Sequence, residues 1–279
     1  MEVLKKWELK HQKKINNTYK NCIENYVSNS NLNITKATYN DIINYLSILR
    51  KLGLSAYNIA NHVSAIKFYY SCLLDLNHIK NHPCKTLVLK DRIDKSIAVE
   101  TLYSKQELEV FLKRETKGIK LLELRNKIMR QFLVYQGLTT SELVGLKLTD
   151  LDLENCTLSI KNSRILTLEA KQLLPLQTYI LKDRELLKKG KQTDVLVLSK
   201  TAKPLPTETI NAMLNRNENK KFTPQKIRQS VIYNLLKDGN DLRKVQLFAG
   251  HKCITTTEQY KSCLLEELRS QLEKHHPLR

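Results

Sequence analysis

TPQKIRQSVIYNLLKDGNDLRKVQLFAGHKCITTTEQY, residues 223–260, is the most informative stretch of the 279-residue chain. Thr223 suits an N-cap and Pro224 the first position of a helix. Apolar Ile227, Val231 and Leu235 recur at helical spacing and mark its buried face, and Gly239 suits its end. A second helix runs from Asp241 to Ala249 and closes at Gly250, which leaves His251 just past a helix terminus. Thr255, Thr256 and Thr257 then open a last helix that carries Tyr260. Taken singly, these polar residues have ordinary readings. Arg228 is a solvated helix residue, His251 a helix-end cap, and Tyr260, in register with Leu264 and Leu268, a core tyrosine.

Helical periodicity dominates the rest of the chain. Ile59, Val63, Ile66, Tyr70 and Leu73 recur at steps of four and three, with Ser55 as N-cap. Thr38 and Asp41 form a capping-box start for a helix carrying Ile42, Ile43, Leu46 and Leu49 that stops near Gly53. With a lysine-rich helix around Trp7 to Tyr26, these predict an all-helical unit over residues 1–90. The stretch HPCKTLVLKDRIDKSIAVET, residues 82–101, has a proline, a basic excess and no helical period. A basic interdomain linker is placed at 91–102, over the end of this stretch. A second domain, 103–279, opens on a capping box at Ser104 and Glu107, followed by an apolar helix from about Leu121 to Tyr135. Thr157–Lys161 and Arg164–Leu168 read as two strands of a hairpin turning at Asn162-Ser163, with Val195–Leu198 as a third strand. No internal repeat is present. The expected fold is therefore mainly α with a small antiparallel sheet: a helical amino-terminal domain and an α+β carboxy-terminal domain.

Composition narrows the function. There are 47 Lys and Arg against 28 Asp and Glu, a formal net charge of +19, spread along the chain and not confined to a tail. Such a charge on a folded protein points to a polyanionic partner, with nucleic acid the leading candidate. No apolar run is long enough to span a bilayer, and the start has no apolar signal stretch, so a soluble, cytoplasmic protein with no membrane partner is expected. The six cysteines are scattered singly and read as reduced thiols, with no metal site. No G-x-x-x-x-G-K and no H-E-x-x-H occurs, so no nucleotide, metal or other cofactor is expected.

The 223–260 stretch resembles the carboxy-terminal signature of the tyrosine recombinase (phage-type integrase) family: T-P-H-x-L-R-H, a leucine-rich helix, G-x-D-L-x-x-V-Q-x-x-L-G-H, then S-T-T-x-x-Y. DLRKVQLFAGH and the step from His251 to Tyr260 match without a gap. Upstream, YQGLTTSELVGLKLTDLD, residues 135–152, is similar to the family's box G-L-R-x-S-E-L-x-x-L-x-x-x-D around its first catalytic arginine. The resemblance extends over nearly the whole chain, including amino-terminal helices similar to the family's core-binding domain. It implies that Tyr260 is the nucleophile on a DNA phosphate, forming a 3′-phosphotyrosyl link that needs neither metal nor nucleotide. Arg228 would clamp that phosphate and His251 would hydrogen-bond to it. Lys161, or Arg164 across the turn, would protonate the leaving 5′-oxygen.

Two positions depart from the pattern. Thr139 stands where the family has its first arginine, and Gln225 where it has the first histidine of the T-P-H box. Thr139 with Glu142 reads as a capping box, and a hydroxyl cannot replace a bidentate guanidinium. Gln225 can donate to a phosphate but cannot transfer a proton. Two functions therefore stay open. One is an active site-specific recombinase or integrase of a prokaryotic mobile element, with Arg125, Arg130 or Lys147 supplying the missing charge. The other is a catalytically impaired DNA-binding accessory or regulatory protein of recombinase ancestry. A relaxing topoisomerase with the same tyrosine chemistry is a minor third. In each case double-stranded DNA is the partner, held between the two domains. For strand exchange the resemblance implies a homo-tetramer on paired sites, monomeric or dimeric off DNA. A leucine stripe, Leu264, Leu265, Leu268 and Leu272, would dock on a neighbour or pack on its own domain.

Overall fold

The computed structural model describes residues 2–29, 34–91, 97–114, 119–161, 163–215 and 221–275, without the side chains of 266–268 and 270–275. The chain divides into two compact units, residues 1–95 and 96–279. No described helix is long and apolar enough to cross a membrane.

The amino-terminal unit is helical. It comprises α1 (Glu2–His11), α2 (Asn17–Asn29), α3 (Tyr39–Lys51) and α4 (Ala56–Asp75). The single helix expected around Trp7 to Tyr26 is two helices, because Gln12 adopts a left-handed backbone (φ 51°) and ends the first. Trp7 then stacks on His11 and meets Phe68 edge-on, which holds α1 against α4. Both expected caps of α3 and α4 form: Thr38 makes a reciprocal capping box with Asp41, and Ser55 accepts from the Asn58 amide. The core places Ile23, Ile42, Leu46, Ile66 and Leu73 out of water. Within it the hydroxyls of Tyr26 and Tyr70 meet at 2.7 Å. Cys84 and Leu87, from the stretch read as irregular, belong to this core.

In the second unit, α5 (Lys105–Lys113) starts on the Ser104–Glu107 capping box, and α6 (Lys120–Tyr135) crosses the middle of the core. After α7 (Thr140–Gly145) come β1 (Leu151–Asp152), β2 (Thr157–Ile160) and β3 (Arg164–Thr167), an antiparallel sheet in the order β1-β2-β3. The third strand is thus Leu151–Asp152, not Val195–Leu198. The latter is a largely buried, bent segment that makes only isolated bridges, from Val195 to Lys147 and from Leu198 to Pro204. The hairpin turn is also longer than expected. Ile160 pairs with Arg164, so three residues separate the paired positions, with Lys161 at φ 24°. Asn162, half of the turn read from sequence, lies outside the described residues.

The remaining elements are helices: α8 (Ala170–Thr178), α9 (Arg184–Lys188), α10 (Thr207–Leu214), α11 (Pro224–Lys237), α12 (Leu242–Ala249) and α13 (Thr255–His275). The main core joins Phe111, Phe132, Leu138, Leu143, Leu158, Leu196 and Ile227. A satellite core of Ile232, Tyr233, Val245, Ala249 and Tyr260 ties α11, α12 and α13 together, and Ile97, Val99, Leu102 and Leu264 pack on it. Leu265 is exposed. The side chains of Leu268 and Leu272 lie outside the described residues.

Candidate active site

The local sequence aims three helix ends at one place. Thr223 accepts from the Lys226 amide and Pro224 fills the first position of α11, as the 223–260 stretch predicts. Ile227 and Ser230 then face inward, which turns Arg228 toward the start of α7 and the end of α12. Its guanidinium donates to two main-chain carbonyls, those of Gly137 and Ala249. Arg228 therefore pins the box around position 139 to the turn that carries His251. Burial lowers its pKa, with the nearby charge of Glu142 acting in the opposite sense. Glu142 Oε2 stands 4.0 Å from Arg228 Nη1.

Gly250 closes α12 in the left-handed conformation (φ 67°), a backbone that glycine adopts without a Cβ penalty. That turn releases His251, whose main chain is held on both sides by Gln246. The His251 amide donates to Gln246 O, and Gln246 Nε2 donates to His251 O. His251 Nδ1 lies 2.9 Å from the hydroxyl of Thr257, which is fully buried. The imidazole stacks on the ring of Tyr260, with centroids 6.4 Å apart and planes 15° from parallel. Burial, reinforced by the positive charges of Arg228 and Arg164, lowers the His251 pKa. The neutral ring is thus favoured. Burial raises the Tyr260 pKa, and the Arg228 charge partly opposes this, so the phenol is protonated at neutrality.

A neutral His251 can present an Nε2–H donor only while Nδ1 accepts a proton from its partner. The Thr257 hydroxyl is placed for that. Thr257→Val, which keeps the shape and removes the hydroxyl, is expected to slow DNA cleavage by about tenfold. Because it leaves a buried acceptor unpaired, it should also destabilise the fold by roughly 1–3 kcal/mol. Single-turnover cleavage and thermal melting of the purified variant check both effects.

Thr139 makes the expected capping box. Its amide and hydroxyl donate to Glu142 Oε2 at 2.8 and 2.9 Å, and the Glu142 amide donates back to Thr139 Oγ1. The second oxygen of Glu142 receives Arg164 Nη1, from β3, at 2.7 Å. Burial pushes the Glu142 carboxyl up, but the hydrogen bonds from Arg164 and the Thr139 amide outweigh it and set its pKa below the usual carboxylate range.

Arg228, His251, Tyr260, Thr139 and Arg164 are therefore brought into one cluster. Lys161 and Gln225 are placed differently. Lys161 is exposed at the hairpin tip, with Nζ 3.4 Å from where a Cβ on Gly145 would stand. Gln225 is exposed on the first turn of α11. The three residues weighed as replacements for the missing arginine are committed elsewhere. Arg125 donates to Leu198 O and Asn126, Arg130 donates to Arg114 O, and Lys147 pairs with Asp194. None of these partners belongs to the cluster around Arg228 and His251. Glu142, beyond its capping role, Thr257 and the two carbonyls under Arg228 are the functional groups that sequence reasoning missed. Among the described residues, no group of three or more His, Cys, Asp and Glu is placed to hold a metal ion.

Tyr260, His251 and Arg228 thus meet where α11, α12 and α13 come together. The chain belongs to the phage integrase family, whose model matches residues 101–265, and it is a DNA strand-transferring enzyme of the tyrosine recombinase class. It is similar to the tyrosine recombinase XerD of Halalkalibacterium halodurans, 30% identical over 257 residues, 88% of this chain and 83% of that protein. The tyrosine recombinase XerC of Listeria innocua is 26% identical over 252 residues, 87% and 83% of the two chains. Solved structures share the fold. The Tn1549 transposon integrase in complex with transposon right end DNA matches at a TM-score of 0.66 and 17% identity, over 98% of this chain and 99% of that one. The XerH site-specific recombinase bound to palindromic difH substrate matches at 0.65 and 23% identity, over 92% and 79%.

Proposed function

We propose that the protein is a site-specific recombinase that cuts and rejoins double-stranded DNA through a 3′-phosphotyrosyl intermediate, as the integrase of a mobile element. The observation that carries this reading is the junction of Arg228, His251 and Tyr260 at three helix ends. In the reaction the Tyr260 oxygen attacks phosphorus, the bond from phosphorus to the 5′-oxygen breaks, and the phenolic proton passes to solvent. Arg228 and His251 Nε2–H stabilise the charge that gathers on the non-bridging oxygens. Lys161 supplies the proton to the leaving 5′-oxygen. Arg164 does not, since a guanidinium does not give up its proton in this range and its Nη1 is paired with Glu142. The phosphotyrosyl link conserves the bond energy for rejoining, so the step draws on no nucleotide.

Both units carry a positive excess, 15 Lys and Arg against 7 Asp and Glu in residues 1–95 and 32 against 21 in 96–279. This supports DNA contact by both. The dissociation constant is expected to rise by at least about tenfold between 50 and 200 mM salt, as counterions released by phosphate contacts oppose binding. Fluorescence anisotropy over a salt series measures it, and a flat response would argue against backbone binding. Strand exchange on this reading uses a homo-tetramer on two DNA sites, with monomers or dimers off DNA.

The capping box of Thr139 favours a second reading, a DNA-binding accessory or regulatory protein that has lost cleavage. An SDS-resistant protein–DNA adduct on nicked duplexes decides between them. The recombinase reading expects one from the wild-type chain. The accessory reading expects binding without an adduct.

A further inference from the structure

Arg164 is anomalous as a structural residue. It starts β3 opposite Ile160, yet its side chain is only 7% exposed. Nη1 is paired with Glu142, while Nε and Nη2 are buried with no hydrogen-bond partner. Buried donors of a charged group are rarely left unpaired, because losing water without a replacement is costly. Two orphaned donors on one guanidinium have no partner among the described residues.

The surroundings show what these donors fit. The guanidinium lies against Gly250, directly before His251; a Cβ there would stand 3.0 Å from Arg164 Cζ and would overlap the fork. Glu142 is shared: one oxygen takes Arg164, and the other takes Thr139 and faces Arg228. Two guanidiniums thus face a single carboxylate, beside a histidine that they help to keep neutral. The cluster has one uncompensated positive charge and free planar donors, a match for a phosphodiester.

We propose that Arg164, reaching in from the sheet, does at the scissile phosphate what the arginine absent from position 139 would have done. This rests on the recombinase reading above. Arg164 transfers no proton. It donates Nε–H and Nη2–H to a non-bridging oxygen while Glu142 fixes its plane, and Thr139 is left free to cap α7. An arginine placed at 139 in the wild-type chain would compete with Arg164 for the same carboxylate.

The test uses the full chain and a duplex it selects by binding from a random-sequence pool, nicked at successive positions, with adduct formation timed in single turnover. Arg164→Ala is expected to bind this DNA within about threefold of wild type and to form adduct at least about a hundredfold more slowly. With a methylphosphonate at the scissile position, which lacks one charged oxygen, the defect should shrink to under about tenfold. Thr139→Arg alone should not raise the rate, but in the Arg164→Ala background it should recover at least about tenfold. Arg164→Lys keeps a charge to pair with Glu142, so it tests the need for a fork even if Arg164→Ala melts below assay temperature. It is expected to stay at least about tenfold below wild type. Either variant cleaving at the wild-type rate overturns the proposal, as does an equal defect on phosphodiester and methylphosphonate. A wild-type chain that binds but forms no adduct at any nick overturns the cleavage reading itself and this proposal with it.

Discussion

Tyr260→Phe is expected to remove all detectable covalent DNA adduct, a loss of at least about 10⁴-fold, with DNA affinity unchanged within about twofold. Removal of a covalent nucleophile is felt on this scale because no neighbouring group takes over its bond. The fold should survive. The ring packs among Ile232, Tyr233, Val245 and Ala249 and against His251, and a phenyl group keeps those contacts. The raised phenol pKa adds a pH signature to the wild type. The fraction of phenolate grows as pH rises above neutrality, so cleavage should accelerate in that direction. A gel assay of adduct formed at a series of pH values, with the variant as blank, measures both effects.

Arg228→Ala is expected to cost about a thousandfold in cleavage and also to destabilise the protein. The two effects have different origins. The rate loss reflects removal of a preorganised charged donor from the phosphate, an effect of roughly a hundredfold to a thousandfold or about 3–4 kcal/mol. The stability loss reflects the carbonyls of Gly137 and Ala249, which Arg228 now satisfies and joins. Unpairing such buried acceptors costs roughly 1–3 kcal/mol each, so the melting temperature should fall. Arg228→Lys separates the two poorly, because a compact ammonium cannot span both carbonyls and still face a phosphate. Single-turnover cleavage at a temperature well below the melting point, together with calorimetry, resolves rate from stability. A variant that melts lower but cleaves as fast as wild type would reduce Arg228 to a structural strut.

The mainly helical character with a small antiparallel sheet was legible in the sequence because local chemistry decides it. Thr38, Ser104 and Thr139 each cap a helix with the acid three residues on, and Gly250 ends one. These are contacts within one turn, which spacing reveals. What was not legible depends on partners far along the chain. Val195–Leu198 is as apolar as a strand, but its bent backbone bridges to Lys147 and Pro204 and not to the sheet, held by main-chain bonds to the segment after α7. The break between α1 and α2 was not read from the sequence, although Gln12 takes a positive φ there and the Asn16 side chain accepts from the Thr18 amide as α2 begins.

The candidate site divides the same way. Arg228, His251 and Tyr260 were legible as a family constellation, since their order along the chain is the signal. Arg164 was read as an acid from its place across the turn from Lys161. Its surroundings depend instead on Glu142, 22 residues earlier, and on Gly250, which no spacing rule connects to a strand. Arg125 and Arg130 look equally available in sequence, yet α6 turns them to main-chain acceptors elsewhere.

The most direct test of the central claim is to find which atom of the protein the DNA is joined to. The wild-type chain is incubated with a nicked duplex, the adduct is isolated in SDS, and nuclease and trypsin reduce it for mass spectrometry. Cleavage at Lys252 and Lys261 gives the peptide Cys253–Lys261, which contains Tyr260 and no other tyrosine. This peptide is expected to carry a nucleotide through its 3′-phosphate, localised to Tyr260. A nucleotide on any other residue, or a bound complex from which no nucleotide-bearing peptide is recovered, would contradict it.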